Sequence, residues 1–347
     1  MAGRKTTLNL ALQGGGAHGA FTWGVLDHLL EQNLFEFRWI SGTSAGAVNA
    51  VALASGLAIG GPEAARAKLR SVWQSVAKLG EPDFLRNNPF LASLARSNTA
   101  HKLAQILSPA EVNPLGLDPL RRLIESEIDF SVLRTTPGPE LLIAATHVAS
   151  GQARLFRRRE MTVETVLASA CLPMLQRAIE IDGQLYWDGG FAANPDLVTL
   201  GSESPTPDTL IVQLSPLVRS AKPSSMREIN GHMLHLTFNQ PYVRDLERIV
   251  AVRRLADRPS LFGRSRATVH EQRLSAHRFH IVEAGRFTGG LSVESRGKPE
   301  HELIEYLFSA GRQQAGRWLD RNLGDIGIRD SAEIEKRLAA YRASAVA

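Results

Sequence analysis

The 347-residue chain predicts an α/β protein with a mainly parallel central sheet, and three features carry that expectation. Near the N-terminus a short apolar strand passes through a small-residue turn directly into a helix, and the same order follows at once a second time. Repeated strand–turn–helix units of this kind build parallel sheets whose functional loops lie at the carboxyl ends of the strands. A hydrophobic fraction of 44% against 22% charged residues belongs to a soluble protein able to bury a large core.

The elements follow in order. LNLAL, Leu8 to Leu12, is the first strand, and QGGGAHGAF leads from it into a helix whose Phe21, Val25, Leu26, Leu29 and Leu30 share one face. FRWI, Phe37 to Ile40, is a second buried strand that enters SGTSAG and then the small-residue helix AVNAVALASGLA. The uncharged run from Trp39 to Pro62 is long enough to cross a bilayer, but its Gly, Ser, Thr and Asn content favours a buried helix. From Pro62 to about Phe130 a helical insertion broken by Pro and Asn, including EPDFLRNNPF, is expected to cover one side of the sheet and shape a substrate mouth.

LLIAATHVAS and QARLFRR read as paired strands, and MTVETVLASACLP as a helix stopped by Pro173. AIEIDGQLYWDGG is a hairpin turning at Asp182-Gly183 that delivers Asp188 just past its second strand. TLIVQLSP, Thr209 to Pro216, is another buried strand. Two amphipathic helices separated at Pro241, a strand RFHIVEA and a long helix from Glu302 complete the chain. A boundary is expected after residue 219, with one unit over 1–219 and a mostly helical extension over 220–347 packed on it. There is no internal repeat and no low-complexity tract.

Three segments bear on chemistry. Gly42-Thr43-Ser44-Ala45-Gly46 fits G-x-S-x-G, the sharp strand-to-helix elbow that presents a serine hydroxyl, with glycines relieving the crowding. The bland alternative is a helix start rich in small residues; the strand before it and the helix after it favour the elbow. A serine needs a neighbouring base. Of ten histidines none stands in an obvious catalytic frame, whereas Asp188 sits at a strand end followed by Gly189-Gly190, where a carboxylate can face a cleft or serve merely as a turn aspartate. The glycine run answers a third need, because attack on an ester puts negative charge on the carbonyl oxygen and main-chain N–H groups at a helix start stabilise it.

Taken together, and in this order, these segments resemble the patatin-like phospholipases, bacterial members especially. QGGGAHG is similar to the family's glycine-rich oxyanion loop, GTSAG to its nucleophile elbow and DGGFAANP to its catalytic aspartate motif, while ASACLP resembles a segment found between them. The resemblance spans Leu8 to Pro216, and the tail is similar to a helical extension in one bacterial branch. It implies a three-layer α/β/α fold and hydrolysis of lipid acyl esters by a Ser-Asp dyad through an acyl-enzyme. Ser44 would be the nucleophile, Asp188 the base, and the amides of Gly15, Gly16 and Ala17 the oxyanion donors, supported by Gly14, His18, Gly19, Gly42, Gly46, Gly189 and Gly190. Burial should then raise the pKa of Asp188 from about 3.9 toward a working value. The family often has Asp at Gln13 and Arg or Lys at His18, so His18 is expected either to brace the loop or to make activity pH-dependent.

Other readings make different demands. Gly14, Gly16 and Gly19 satisfy the dinucleotide fingerprint G-x-G-x-x-G, but no acid ends the next strand to hold a ribose. A Ser-His-Asp hydrolase would recruit His277 or His280. No convincing metal-ligand spacing and no nucleic-acid motif beyond mild basicity is present, and no cofactor is expected. The one cysteine, Cys171, precludes an intrachain disulfide, and the basic N-terminus has too short an apolar stretch for a signal peptide, so a cytoplasmic location is expected. The net charge of +5, Arg157 to Arg159 and the arginines between Arg244 and Arg266 suggest peripheral attraction to anionic membrane, with the aliphatic stripe of helix 242–257 as the docking face.

Overall fold

The computed structural model describes residues 5–79, 118–173, 175–219, 222–257 and 268–344. β1 (Thr6–Leu12), α1 (Gly19–Gln32), β2 (Phe35–Thr43) and α2 (Ala45–Leu79) form the two opening units. α3 (Pro119–Glu127) and α4 (Phe130–Thr135) precede β3 (Glu140–His147), β4 (Ala153–Arg157) and α5 (Val163–Ser169). The hairpin β5 (Ile179–Ile181) and β6 (Gln184–Asp188) turns at Asp182 and Gly183, both at positive φ, and leads through α6 (Val198–Glu203) to β7 (Asp208–Gln213). Beyond lie α7 (Met226–Ala256), α8 (Val269–Ala276), β8 (Arg278–Glu283), α9 (Gly285–Thr288), α10 (His301–Asn322) and α11 (Ile334–Ala343).

The strands form one eight-stranded sheet in the order β5-β6-β3-β2-β1-β7-β8, with β4 also paired to β3. The run from β3 to β8 is parallel; β4, β5 and β6 are antiparallel. Successive residues of a strand face opposite sides, and the core divides accordingly. Leu10, Leu12, Leu141, Ile143, Leu210 and Val212 pack with α1, α2, α5 and α10, whereas Ala11, Leu142, Ile211, Phe279 and Ile281 pack with α7, α8 and α11. Both faces are covered, as a parallel sheet requires, so the fold is the expected three-layer α/β/α arrangement.

Several expectations change. The sheet continues past residue 219, because β8 pairs with β7 along its whole length. α7 runs unbroken through Pro241, where two helices were expected. A proline inside a helix removes one ladder bond and costs about 3 kcal/mol, but Phe238, Tyr242, Val243 and Leu246 are buried on both sides of it and hold the helix on its course. Their aliphatic stripe therefore faces the core, and the docking face expected on helix 242–257 is not a surface. α5 stops at Ser169, four residues before Pro173. The uncharged run is part of β2 and then α2, which bends at Gly60-Gly61; by length and composition α2 has a stretch able to cross a membrane, yet 67% of that stretch is buried inside the fold. Most of the insertion expected after Pro62, with EPDFLRNNPF and His101, lies outside the described residues, as do Arg258, Arg264 and Arg266.

The C-terminal helices are locked onto the first unit. α1 and α10 cross so closely that a Cβ at Gly24 would stand 2.0 Å from the carbonyl of Phe308, and one at Gly311 would stand 2.1 Å from that of Phe21. Beside the crossing, the buried carboxylate of Asp27 accepts hydrogen bonds from Arg66 of α2 and Arg312 of α10. Removing one partner of such a buried pair strands the other charges. Asp27→Ala should lower stability by about 3 kcal/mol in urea unfolding, and adding Arg312→Met should recover part of that loss.

Candidate active site

Ser44 and Asp188 are brought together by strand pairing. On one edge of β3, Ala144 pairs with Thr43 of β2 and the next residue, Ala145, pairs with Asp188 of β6. The opposite edge at both positions is occupied by β4, through Leu155 and Arg154. β2 and β6 therefore run toward each other on the same edge, and their ends meet. Ser44 is the first residue past β2, in the left-handed conformation at φ 55°, which is costly for a residue with a side chain and turns the hydroxyl out of the strand.

Asp188 is fixed from several sides. Its amide donates to the Cys171 carbonyl (2.8 Å), its carbonyl accepts from the Thr146 hydroxyl (2.8 Å), and its Oδ1 accepts from the Gly190 amide (2.8 Å). Oδ2 is buried with no partner in good hydrogen-bond geometry among the described residues. Burial pushes the carboxyl up to about 7, opposed by the Gly190 amide and by the Ser44 hydroxyl, which favour the charged form. The Ser44 hydroxyl thus lies near enough to Asp188 to act on its carboxyl.

The glycine loop forms the neighbouring wall. A Cβ at Gly14 would lie 2.9 Å from Ser44 Cβ, so only glycine permits this approach. The Gly14 amide donates to Asn194 Oδ1 (2.8 Å). Gly15 is half-buried, Gly16 exposed at φ 57°, and Ala17 buried, in a single 3-10 turn that feeds α1. Amides at a helix start lack intrahelical partners, and this turn follows directly on the approach of Gly14 to Ser44. Gly19 packs on Ala45 and Trp73, and a Cβ at Gly46 would strike the Leu12 carbonyl, which ties the elbow to the end of β1. Gly42 closes against Gly46, and Gly189 against the Ala144 carbonyl.

His18 braces the loop. Its Nε2 bonds Ser295 (2.7 Å), and burial followed by the charges of Arg296 and Arg219 pushes it down to about 3, so it is neutral at ordinary pH and does not titrate there. The histidines of the triad reading sit elsewhere. His277 bonds Thr209 and His280 bonds Asp208, at the amino end of β7, whereas Ser44 stands at the carboxyl ends of the parallel strands. The length of β7 separates them, which corrects the triad alternative. The dinucleotide alternative fails too, since β2 ends in Gly42-Thr43 and the face of Gly14 is filled by Ser44 and Asn194. Of the basic cluster, Arg157 pairs with Glu203 and Arg158 is buried against the Leu133 and Gly138 carbonyls. Cys171 is buried and pushed up to about 12, an inert thiol.

Some supports were not singled out from the sequence. Ser169 Oγ accepts from the Ser44 amide (3.0 Å), Thr43 bonds the Ala193 carbonyl, and Asn194 bridges Gly14 and the Phe238 carbonyl. Gln13 Oε1 accepts from the amides of Leu214 and Ser215 and so ties β1 to the end of β7. Ser169 and Asn194 lie in the segments ASACLP and DGGFAANP, which marked the regions without marking the atoms. A depression of about 580 Å³ lined by Phe37, Trp39 and Pro139 lies at the other end of the sheet and contains neither Ser44 nor Asp188.

No curated protein matches the chain. Among solved structures it is similar to VipD from Legionella pneumophila, at 15% identity over 97% of this chain and 74% of that one, with a TM-score of 0.44. It is also similar to ExoU from the type III secretion system of Pseudomonas aeruginosa in complex with SpcU, at 16% identity, 92% and 53% coverage and a TM-score of 0.35. The chain thus spans about half of that second protein. The profile of the patatin-like phospholipases matches residues 10–200, more than half of the sequence, with the glycine loop, Ser44 and Asp188 inside it. This chain belongs to the patatin-like phospholipase family, whose members are lipid acyl hydrolases.

Proposed function

We propose that the protein hydrolyses lipid acyl esters with Ser44 as nucleophile and Asp188 as its general base. The observation that carries this reading is the meeting of β2 and β6, which sets a serine in a strained turn against a buried carboxyl with one free oxygen. In the first step Ser44 Oγ attacks the ester carbonyl while Asp188 takes its proton. The negative charge that develops on the carbonyl oxygen is met by the amides of Gly15, Gly16 and Ala17, where losing one such donor costs about 10² to 10³ in rate. The tetrahedral intermediate collapses with Asp188 protonating the departing alcohol, which leaves an acyl group on Ser44. Water then attacks that acyl group, Asp188 removes the water proton and returns it to Ser44, and the fatty acid leaves. A pKa near 7 suits a group that must both accept and return a proton at neutral pH.

We place this chemistry at a lipid surface, approached through exposed apolar side chains near the site. Leu175 follows the Cys171 segment that holds Asp188, and Met233 and Leu236 lie on α7 beside His235 and Phe238. Co-sedimentation with anionic vesicles should fall when Met233 and Leu236 are both changed to Ser; equal binding of this variant would remove the assignment.

Ser44→Ala should lose essentially all turnover with little change in melting temperature, and a fluorophosphonate probe should label Ser44 alone; retained esterase activity in the variant defeats the reading. Ser169→Ala, which frees the Ser44 amide, should reduce kcat by about tenfold, the scale of one hydrogen bond. The pH dependence has a definite sign. Activity requires the Asp188 carboxylate, so kcat/KM should rise with pH and level off above about 7. Stability runs the other way: a folded pKa above the unfolded value of about 3.9 means that the native state holds the proton more tightly, so this group lowers stability as pH climbs from 4 to 7. Asp188→Asn should therefore be inactive yet gain in melting temperature over the wild type as pH goes from 5 to 8; a gain that shrinks over that range counts against the buried acid.

A further inference from the structure

A second polar cluster borders the glycine loop and has no part in the proton transfers above. Arg296 lies in the 3-10 segment Val293–Gly297, and its carbonyl is 2.2 Å from where a Cβ on Gly16 would be. Its Nη2 donates to Ser215 (2.8 Å) at the end of β7, its Nε is sealed from solvent without a partner, and the residue as a whole keeps part of its surface open. Burial, and after it the charge of Arg219, pushes Arg296 down to about 10; Arg219 donates to the Leu291 carbonyl, and neither arginine has an acidic partner among the described residues. Two cations that act on one another without an acidic partner, one of them largely buried, repel each other. An anion between them would offset that repulsion.

The surroundings agree. His235 Nε2 accepts from Asn239, so its proton is on Nδ1, and that Nδ1 has no acceptor. Gln13 spends its oxygen on Leu214 and Ser215, leaving Nε2 unpaired. Burial and the two arginines push His235 down to about 4, so it stays neutral and adds a donor without a charge. Gln13, His235 and Arg296 all adjoin Ser215-Pro216, through Gln13 Oε1, Asn239 to the Pro216 carbonyl, and Arg296 Nη2. Unpaired donors thus gather around a pair of fixed positive charges. Gly14 touches Ser44, and Gly16, two residues or about 7 Å of chain away, touches Arg296.

We propose that Arg296 and Arg219 form a subsite for the phosphate group of the substrate, across the glycine loop from Ser44, so that phosphate-bearing acyl esters are preferred to neutral ones. This rests on the hydrolase reading above and names its substrate class. An arginine fork suits phosphate oxygens, which accept charge-assisted hydrogen bonds.

Two measurements on the full chain test it. In Ser44→Ala protein, calorimetric titration with sn-glycerol 3-phosphate and with inorganic phosphate, at constant ionic strength, should detect glycerol phosphate binding that weakens by about tenfold or more with Arg219→Gln or Arg296→Gln. With Ser44 intact, the ratio of kcat/KM for lysophosphatidylglycerol to that for the monoacylglycerol of the same chain should fall by about tenfold or more in Arg219→Gln, chiefly through KM. Arg219 is partly exposed, so its variant carries the test even if Arg296→Gln does not fold. Absence of binding, or binding indifferent to Arg219, overturns the subsite; glycerol phosphate or inorganic phosphate binding that depends on Arg219 with an unchanged ratio overturns its role in substrate selection. Turnover surviving in Ser44→Ala would instead remove the hydrolase reading, while the calorimetric result would still stand or fall by itself.

Discussion

Two strands arriving end to end on one edge of β3 are the constraint from which the rest of the site follows. Because β2 stops opposite Ala144 and β6 stops opposite Ala145, the separation of Ser44 and Asp188 is set by main-chain pairing in the middle of a sheet. Hydrogen-bonded core strands are the parts of a protein that open last, so the geometry rests on its most cooperative region. The same arrangement explains the small residues around it. Gly189 must pass the Ala144 carbonyl, and Gly46 must pass that of Leu12, where any side chain would force the strands apart.

The electrostatics are divided to match. Asp188 sits in a dry environment that raises its pKa, and the groups acting on it are the Gly190 amide and the Ser44 hydroxyl. The arginine pair acts instead on His18 and His235, which it helps to keep neutral. A cation placed beside Asp188 would stabilise the carboxylate and lower its basicity, so the proposed general base and the proposed phosphate subsite need to be kept apart.

The C-terminal segment completes this site from a distance in sequence. β8 extends the sheet, α10 is clamped to α1 through Asp27, and the turn that follows α9 brings Ser295 to His18 and Arg296 to Gly16. The loop conformation and the neutral state of His18 therefore depend on residues nearly 280 positions away. α7 has a comparable double role, since its buried stripe fills the second core while Phe238 and Asn239 brace the aspartate motif and the end of β7.

Local patterns were enough to identify the βα units, the hairpin at Asp182-Gly183 and the strand-to-helix turn at Ser44, because each depends on spacing within a few residues and on where glycine alone fits, whereas Asp188 stood out from a turn aspartate only through the ordered family resemblance. The raised pKa of Asp188 followed from the chemistry demanded of it. What no local pattern contained was long-range: the shared edge of β3 that brings two strand ends together, the continuity of α7 through Pro241, the inward turn of its stripe, and the placement of Arg296 beside Gly16. Each of these is decided by packing between segments far apart in the chain, where burial outweighs local propensity, and so only the tertiary structure could assign them.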